Sequence, residues 1–408
     1  MNRQARTRTW PPKRAALAAA MALCALAAPA VGEQLQTIDG QRLTGKLVGL
    51  TDAKATFQPE KGDTRKLPRD DVQRVIWAEA ASLEESSAQA VATVGGGLIA
   101  IRQMQVADGH VAFTHPLLGK VGVPLSHVQR IYLPGSAQTL AALRKDLPEP
   151  REEAATRDVL LIRQRSGRLT PLSGVLSGAD AKEVAFRWRE EQRAVPRENV
   201  VAVVMAPAGA AEADPVARLI GPAGDRVPLS AVRVEDGKVL ATTTWGQELR
   251  LAVKAVAALE LLSDRLTPLT ELKPAETRHV PLFRLAFPPQ VNRSTLGQAM
   301  RLDGEEIAEG LGVHSFTELT YDLDGQYKTF LAQVGIDDAV RPAGKAGVVI
   351  LGDGEPIGEP LVVEGSKDSQ TLRVDVSGVK KMTLRVEYGP DGLDSGDHVN
   401  FASPRLIK

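Results

Sequence analysis

The residues whose types and spacing offer chemistry are gathered near the C-terminus. The run Asp391-Gly392-Leu393-Asp394-Ser395-Gly396-Asp397 places a carboxylate at every third position, with glycines that let the backbone bend. Hard cations such as Ca²⁺ take oxygen ligands of this kind. The bidentate glutamate that closes an EF-hand is missing, so Asp391, Asp394 and Asp397 read either as a Ca²⁺ site or as a solvated turn. Tyr321 and Tyr327 offer flat faces on which a sugar ring can stack, or else edge the core. His314 and His398 read either as sugar or metal contacts or as half-buried residues that tie two strands together. Catalysis gets no comparable support. The sequence has no phosphate-cradling glycine loop, no His-Glu-x-x-His and no cysteine pair. Glycoside hydrolysis needs two positioned carboxylates, and no acidic residue sits in a context that picks it out. The chain therefore reads as a non-enzyme, with an unrecognised hydrolase as the remotest reading.

The elements that position these groups are strands. Gly310-Leu311-Gly312-Val313-His314-Ser315 opens with two glycines and leads into a short strand. Apolar and polar residues then alternate from Phe316 to Leu323, the period of a half-buried strand. Asp324-Gly325 supplies a hairpin turn, and a second strand follows from Tyr327 to Val334 before Gly335-Ile336-Asp337-Asp338. Further on come Val374-Asp375-Val376-Ser377-Gly378-Val379 and Asp397-His398. These ordered motifs resemble the NPCBM family, a carbohydrate-binding module first noticed in family 98 glycoside hydrolases. The resemblance spans residues 280–408 and implies a galactose-binding-like β-sandwich, a jelly roll, with a glycan as ligand. The family's last motif carries an aromatic residue, often Trp, shortly after the His; here Phe401 follows Asn400.

Before this module the chain repeats itself. A six-position frame appears as Leu67-Pro68-Arg69-Asp70-Asp71-Val72, Val123-Pro124-Leu125-Ser126-His127-Val128, Val195-Pro196-Arg197-Glu198-Asn199-Val200 and Leu251-Ala252-Val253-Lys254-Ala255-Val256. Three residues past each final Val stands another aliphatic: Val75, Ile131, Val203 and Leu259. A strand-like apolar residue lies upstream of each frame: Phe57, Phe113, Phe186 and Leu240. Asp39-Gly40, Asp108-Gly109 and Asp236-Gly237 are hairpin turns. The spacing predicts four small half-open β-barrels, SH3-like or Sm-like, each with one 3₁₀ turn before its last strand. The tryptophans Trp77, Trp188 and Trp245 read as plugs for these barrels. The fold class is all-β: tandem small barrels, then the sandwich. Ala78 to Thr93 reads as helix or helical linker, and Ala137 to Leu143 as helix. The expected domains are 1–30 signal peptide, 31–134 units one and two, 135–157 linker, 158–262 units three and four, 263–279 linker and 280–408 sandwich. The longer middle spacer groups the units as one with two and three with four.

Arg3, Arg6, Arg8, Lys13 and Arg14 precede an apolar run, Ala15 to Ala28, that is short for a membrane span. Ala28-Pro29-Ala30 fits a cleavage site, so the mature chain is expected to begin near Val31, in a secreted or periplasmic protein. An uncleaved signal peptide would be its one attachment to a membrane. Leu23 precedes Cys24 where a lipid-attachment site needs a small residue, so no lipid is expected. Cys24 is the single cysteine of the chain, which leaves the mature protein without disulfides or thiolate chemistry. Basic and acidic residues balance at 50 each in 408 residues, so no bulk field points to nucleic acid. The function this supports is an exported non-catalytic protein that binds a glycan or cell-surface polysaccharide. The alternative is a structural or protein-interaction component of the cell envelope, with its partner on the repeats and the sandwich as scaffold.

Overall fold

The computed structural model describes residues 33–147, 156–189, 191–207, 214–280 and 286–408. The segment expected to be a signal peptide, its expected cleavage site and Cys24 lie outside the described residues. Nearly all the regular structure is β.

Unit one runs through strands Glu33–Thr37, Arg42–Leu50, Lys54–Pro59 and Arg65–Pro68, a 3₁₀ turn Arg69–Asp71, and a last strand Val72–Ile76. The first strand pairs with both the second and the last, which closes the meander into a half-open barrel. Units two, three and four repeat this order, from Gln89–Thr93 to Val128–Tyr132, Asp158–Arg163 to Val200–Val204, and Ala217–Ile220 to Ala258–Leu261. The second strand of every unit carries a bulge, at Leu47/Gly49, Arg102/Gln105, Leu176/Gly178 and Leu229/Ala231. A bulge bends its strand strongly, so one long strand can serve both sides of a small barrel.

The repeated frame has a physical cause. In units one to three the residue before the turn is a proline at φ −51° to −56°, within the range its ring prefers. The closing valine donates its N–H to the first residue of the turn, as Val72 does to Arg69. That bond aims the side chain inward. Val72, Val128, Val200 and Val256 are 0%, 3%, 3% and 1% exposed, in equivalent places, as the spacing predicts. Truncating Val72, Val128 or Val200 to alanine is expected to cost about 2 kcal/mol each in denaturant unfolding. Val48, which is exposed, serves as the neutral control. In unit four the residue equivalent to Phe113 is the buried Ala241, while Leu240 is only half-buried.

Four expectations give way. Ala78 to Ser87 are irregular, with a single turn at Glu84-Glu85, and Gln89–Thr93 is a strand. Ser82 and Ser86 engage neighbouring backbone groups instead of releasing them to a helical ladder. The helix expected from Ala137 lies at Leu140–Asp146, capped by the Thr139 hydroxyl. Residues 263–279 are ordered structure. Leu266–Pro268, a 3₁₀ turn Leu269–Glu271 and Leu272 make a fifth copy of the frame, and this strand pairs with the end of the chain, Leu266 opposite Ile407. Finally, the units do not pair as one with two and three with four. Val72–Ile76 pairs with Ala258–Leu261 of unit four, and Val128–Tyr132 with Val200–Val204 of unit three.

The C-terminal third is a sandwich of two antiparallel sheets. One comprises Gln290–Val291, Gly310–His314, His398–Ile407, Thr329–Ile336 and Gln370–Asp375, joined by Leu266–Pro268. The other comprises Glu276–His279, Thr317–Asp322, Lys381–Tyr388, Lys345–Gly352 and Glu355–Glu364. Their inner faces share a core that includes Val313, Tyr321, Phe330, Leu384 and Phe401. The Arg405 guanidinium donates to the Ile38 carbonyl at 3.1 Å, and Arg373 to the Asp39 carbonyl at 3.3 Å. The first hairpin of unit one is thereby fixed to the sandwich.

Candidate functional site

One end of the sandwich collects most of the chemistry. His314 closes its strand directly opposite His398, the first residue of the chain's last strand. Antiparallel partners project to the same face, and the two imidazoles lie 4.8 Å apart between centroids, edge to face. Phe287 stacks on His314 at 4.7 Å and meets His398 edge-on at 4.8 Å. His279 adds a third ring, 6.4 Å from His314.

Short hydroxyls hold these rings. The Phe287 N–H donates to His279 Nε2 at 3.2 Å, so His279 Nδ1–H is free to donate to Thr317 Oγ1 at 2.7 Å. That pair of bonds selects the neutral imidazole. His398 Nδ1 shares a 2.6 Å hydrogen bond with Thr295 Oγ1. Burial, then the neighbouring His398 charge, pushes the His314 imidazole down to about 4. Burial lowers His398 and His279 as well. The three rings are held as neutral packing groups.

Beside them the chain crosses from one sheet to the other at Ser315-Phe316. The corner is so tight that Phe316 adopts φ 58°, a left-handed backbone that a phenylalanine enters only at a cost. Its ring nevertheless stays 40% exposed. Tyr388, the last residue of its strand, stacks on it at 5.1 Å with planes only 16° apart. Leu393, on the loop that follows Tyr388, is also exposed. An open aromatic face with the Asp394 carboxylate nearby results. Burial first, then the charges of Asp394 and Asp397, raises the Tyr388 phenol.

The three aspartates do not gather as an ion would require. Among the described residues no group of three or more His, Cys, Asp or Glu side chains could hold a metal. Asp391 turns its carboxylate onto the Leu393 N–H of its own loop. Asp397 is buried, and its Oδ1 accepts the Lys345 N–H at 2.8 Å. Its Oδ2 and the nearby Ser315 hydroxyl are both buried without a well-formed hydrogen bond. Burial accordingly pushes the Asp397 carboxyl up to about 6. The Ca²⁺ expectation for Asp391, Asp394 and Asp397 is corrected: two of the three carboxylates are spent on the loop's own backbone and its neighbour.

The tyrosine expectation is corrected too. Tyr321 follows Leu319 on the inward phase of its strand and is 1% exposed, so it belongs to the core. Tyr327 is half-buried, and its hydroxyl donates to Thr267 Oγ1 at 3.2 Å. It braces the fifth frame and does not pair with Tyr321 on the surface. Asp337 and Asp338 are turn residues: Asp338 accepts the N–H groups of Asp303 and Gly304, and Asp337 those of Ala339 and the Asn400 amide. Trp77 and Trp245 pack against the barrel core, whereas the guanidiniums of Arg189 and Arg193 lie over the Trp188 ring. Sequence reasoning missed His279, Phe287, Thr295, Phe316 and Tyr388. The available signal was Phe316, the aromatic that follows the Ser315 break between two apolar runs.

Residues 268–407 match the family model described as NPCBM/NEW2 domain. The match covers the C-terminal third of this chain. A stretch of 90 residues, 22% of the chain, is 33% identical to a Renibacterium salmoninarum protein named "Putative endo-alpha-N-acetylgalactosaminidase". The match spans 6% of that curated relative's length. Solved structures similar to this chain include a CBM51 from a Clostridium perfringens GH95 protein in complex with methyl-galactose. It is 22% identical with a TM-score of 0.31, covering 35% of this chain and 99% of that one. Another is the CBM51-2 and INT domains of Clostridium perfringens ZmpB with GlcNAc, 22% identical with a TM-score of 0.32, covering 45% of this chain and 42% of that one. Tandem CBM51 modules of a Streptococcus pneumoniae family 98 glycoside hydrolase are 12% identical with a TM-score of 0.30, covering 78% and 87%. The matched residues contain both sheets, the three histidines and the Phe316–Tyr388 face.

Proposed function

We propose that the protein is an exported glycan-binding protein that holds its ligand without cleaving it, and that the NPCBM/NEW2 domain does the binding on the Phe316–Tyr388 face. The observation that carries this reading is Phe316 itself. A phenylalanine left 40% exposed forgoes part of its gain from burial and pays for a left-handed backbone, so folding gives only part of the reason for it. A hexose presents an apolar C–H face that packs on such a ring, while its hydroxyls donate to a nearby carboxylate such as Asp394. The family match supports a sugar as the ligand class.

Immobilised glycans ending in galactose, N-acetylgalactosamine or N-acetylglucosamine test this directly. Retention of the intact protein on at least one, with the recovered glycan unshortened, is the expected result. Failure to bind any of them or an insoluble polysaccharide would refute the reading. Export is tested separately. The basic start, the short apolar run and Ala28-Pro29-Ala30 support cleavage, and sequencing the protein recovered outside the cytoplasm is expected to read from within a few residues of Val31. Recovery with Met1 intact would instead support an uncleaved anchor.

A further inference from the structure

The two seams between barrels are the same seam twice. The frame recurs at an offset of 128 positions, Val72 with Val200 and Val128 with Val256, as does the turn Asp108-Gly109 with Asp236-Gly237. At the first seam Arg74, Val75 and Ile76 of unit one face Glu260, Leu259 and Ala258 of unit four. At the second, Ala202, Val203 and Val204 of unit three face Tyr132, Ile131 and Arg130 of unit two. Shifting the first set by the repeat offset gives the second, with the partners exchanged. A second contact follows the same rule once one extra residue in unit three is allowed for, Leu50 to Ala179 being 129 positions and Val106 to Val234 being 128. Leu50 pairs with Val234, and Ala179 with Val106. The preceding glycines let the backbones close: a Cβ on Gly49 would sit 3.4 Å from the Val234 carbonyl, and one on Gly178 3.4 Å from that of Val106. The pairing of Leu98 with Arg226 joins one position of each half to its own counterpart. Such a self-paired position lies on a two-fold axis.

We propose that the repeat region is an isologous dimer fused in tandem. Residues 33–147 and 156–262 are its two protomers, and each carries a docking surface whose occupant is the other. In a two-fold interface, residue i meets j and j meets i, so a single surface serves both sides. The seams are apolar, with Val75, Leu259, Ile131 and Val203 all buried. The chain that joins the halves is then dispensable for holding them.

One buried contact breaks the symmetry and selects the unlike half. His115 Nε2 donates to Asp225 Oδ1 at 3.1 Å, with both side chains sealed from water. His115 Nδ1 accepts from the Leu117 and Leu118 N–H groups, which leaves the proton on Nε2. Asp225 also accepts the Ala100 N–H at 2.8 Å. At the repeat offset, Asp225 corresponds to Gly97 and His115 to Thr243. Two copies of the first half would leave His115 without its acceptor, and two copies of the second would bury Asp225 without its donor. A buried polar group stripped of its partner disfavours both like pairings.

The test uses the full chain with a protease site placed between Leu147 and Arg157, and the pair Arg74→Cys with Glu260→Cys. These two positions are register partners at the first seam and lie about one third exposed, within reach of an oxidant. The cut protein is unfolded in urea, refolded and oxidised. The expected result is one band joining the two fragments on a non-reducing gel, in near-quantitative yield. Co-migration alone would also report the sandwich contacts with Ile38 and Asp39, whereas the disulfide reads the seam itself. Refolded fragments that stay unlinked would overturn the proposal. In the same cut protein, Asp225→Ala is expected to lower the yield of the linked product at least about tenfold at limiting concentration. Undiminished yield would overturn the selection of unlike halves.

Discussion

Replacing Phe316 with glycine and Tyr388 with alanine is expected to abolish glycan retention while leaving the sandwich folded. Glycine adopts φ near 58° freely, so the first change relieves a strain of about 1–2 kcal/mol. The lost aromatic stacking takes back about 0.5–1.5 kcal/mol, and the apolar area that the two half-buried rings keep from water takes back about 2–4 kcal/mol more. The sandwich is therefore expected to stay folded at room temperature with a lowered melting temperature. Binding has no such compensation. Removing both rings of a stacking face should weaken retention by at least about tenfold, a loss of about 1.4 kcal/mol or more. Affinity electrophoresis against whichever immobilised glycan retains the parent protein reads the first effect, and thermal unfolding reads the second. The matched control is Tyr321→Phe, which keeps the ring inside the core and should leave retention unchanged. Full retention in the Phe316→Gly, Tyr388→Ala variant would remove the proposed face, although glycan binding elsewhere on the domain would stand.

The second large effect is expected on acidification. His314 titrates at about 4 in the folded sandwich against an ordinary 6.5, because burial and its neighbour His398 disfavour the charge. The unfolded chain therefore takes up a proton between pH 6.5 and 4 that the folded chain refuses. Stability from this group is present in full above about pH 6.5 and falls as pH drops through the window, by roughly 3 kcal/mol in total. His398 and His279 are lowered too and add in the same direction. Asp397 opposes them. Its carboxyl is raised to about 6 from 3.8, so its contribution is present below pH 3.8 and is lost as pH rises through 6. Three histidines against one aspartate leave a net loss on the acid side. Amide exchange of the Gly310–His314 strand, followed from pH 7.5 to 4, should show it locally. Asp397→Asn should raise stability at pH 8, where the parent buries a charge, and steepen the acid-side loss by removing the opposing group. A flat profile in the parent would mean that the histidines are not held neutral.

His314→Ala separates structure from recognition. Opposite His398 and beneath Phe287, the imidazole is a packing group, and its removal should cost about 1–3 kcal/mol of stability. Glycan retention by the fraction still folded should be unchanged.

Local rules carried much of this protein into view. The period of two in Thr317–Asp322, the Asp-Gly hairpins at 108–109, 236–237 and 324–325, and the Pro-to-Val frame are all set by neighbours in the chain. Torsions at proline, positive φ at turn residues and alternating burial act over a few residues, so the sequence alone determined four barrels and a sandwich. Even the meeting of His314 with His398 followed from strand order. The sequence could not determine what depends on positions far apart. Units one and four pair because Val75 and Leu259 fit across the seam, a choice that no linker length encodes. Asp397 is drawn inward by the Lys345 backbone, so spacing that suits an ion becomes a buried brace. Tyr321 and Phe316 show the division most plainly. Both are aromatics on one half-buried strand pattern, yet the inward phase buries Tyr321. The sheet-to-sheet corner at Ser315 turns Phe316 outward, and Tyr388, brought in from another strand, makes a face of it. A ring's type is written in the sequence. Whether water, protein or ligand covers it is decided by the direction its Cα–Cβ bond takes once the two sheets are packed.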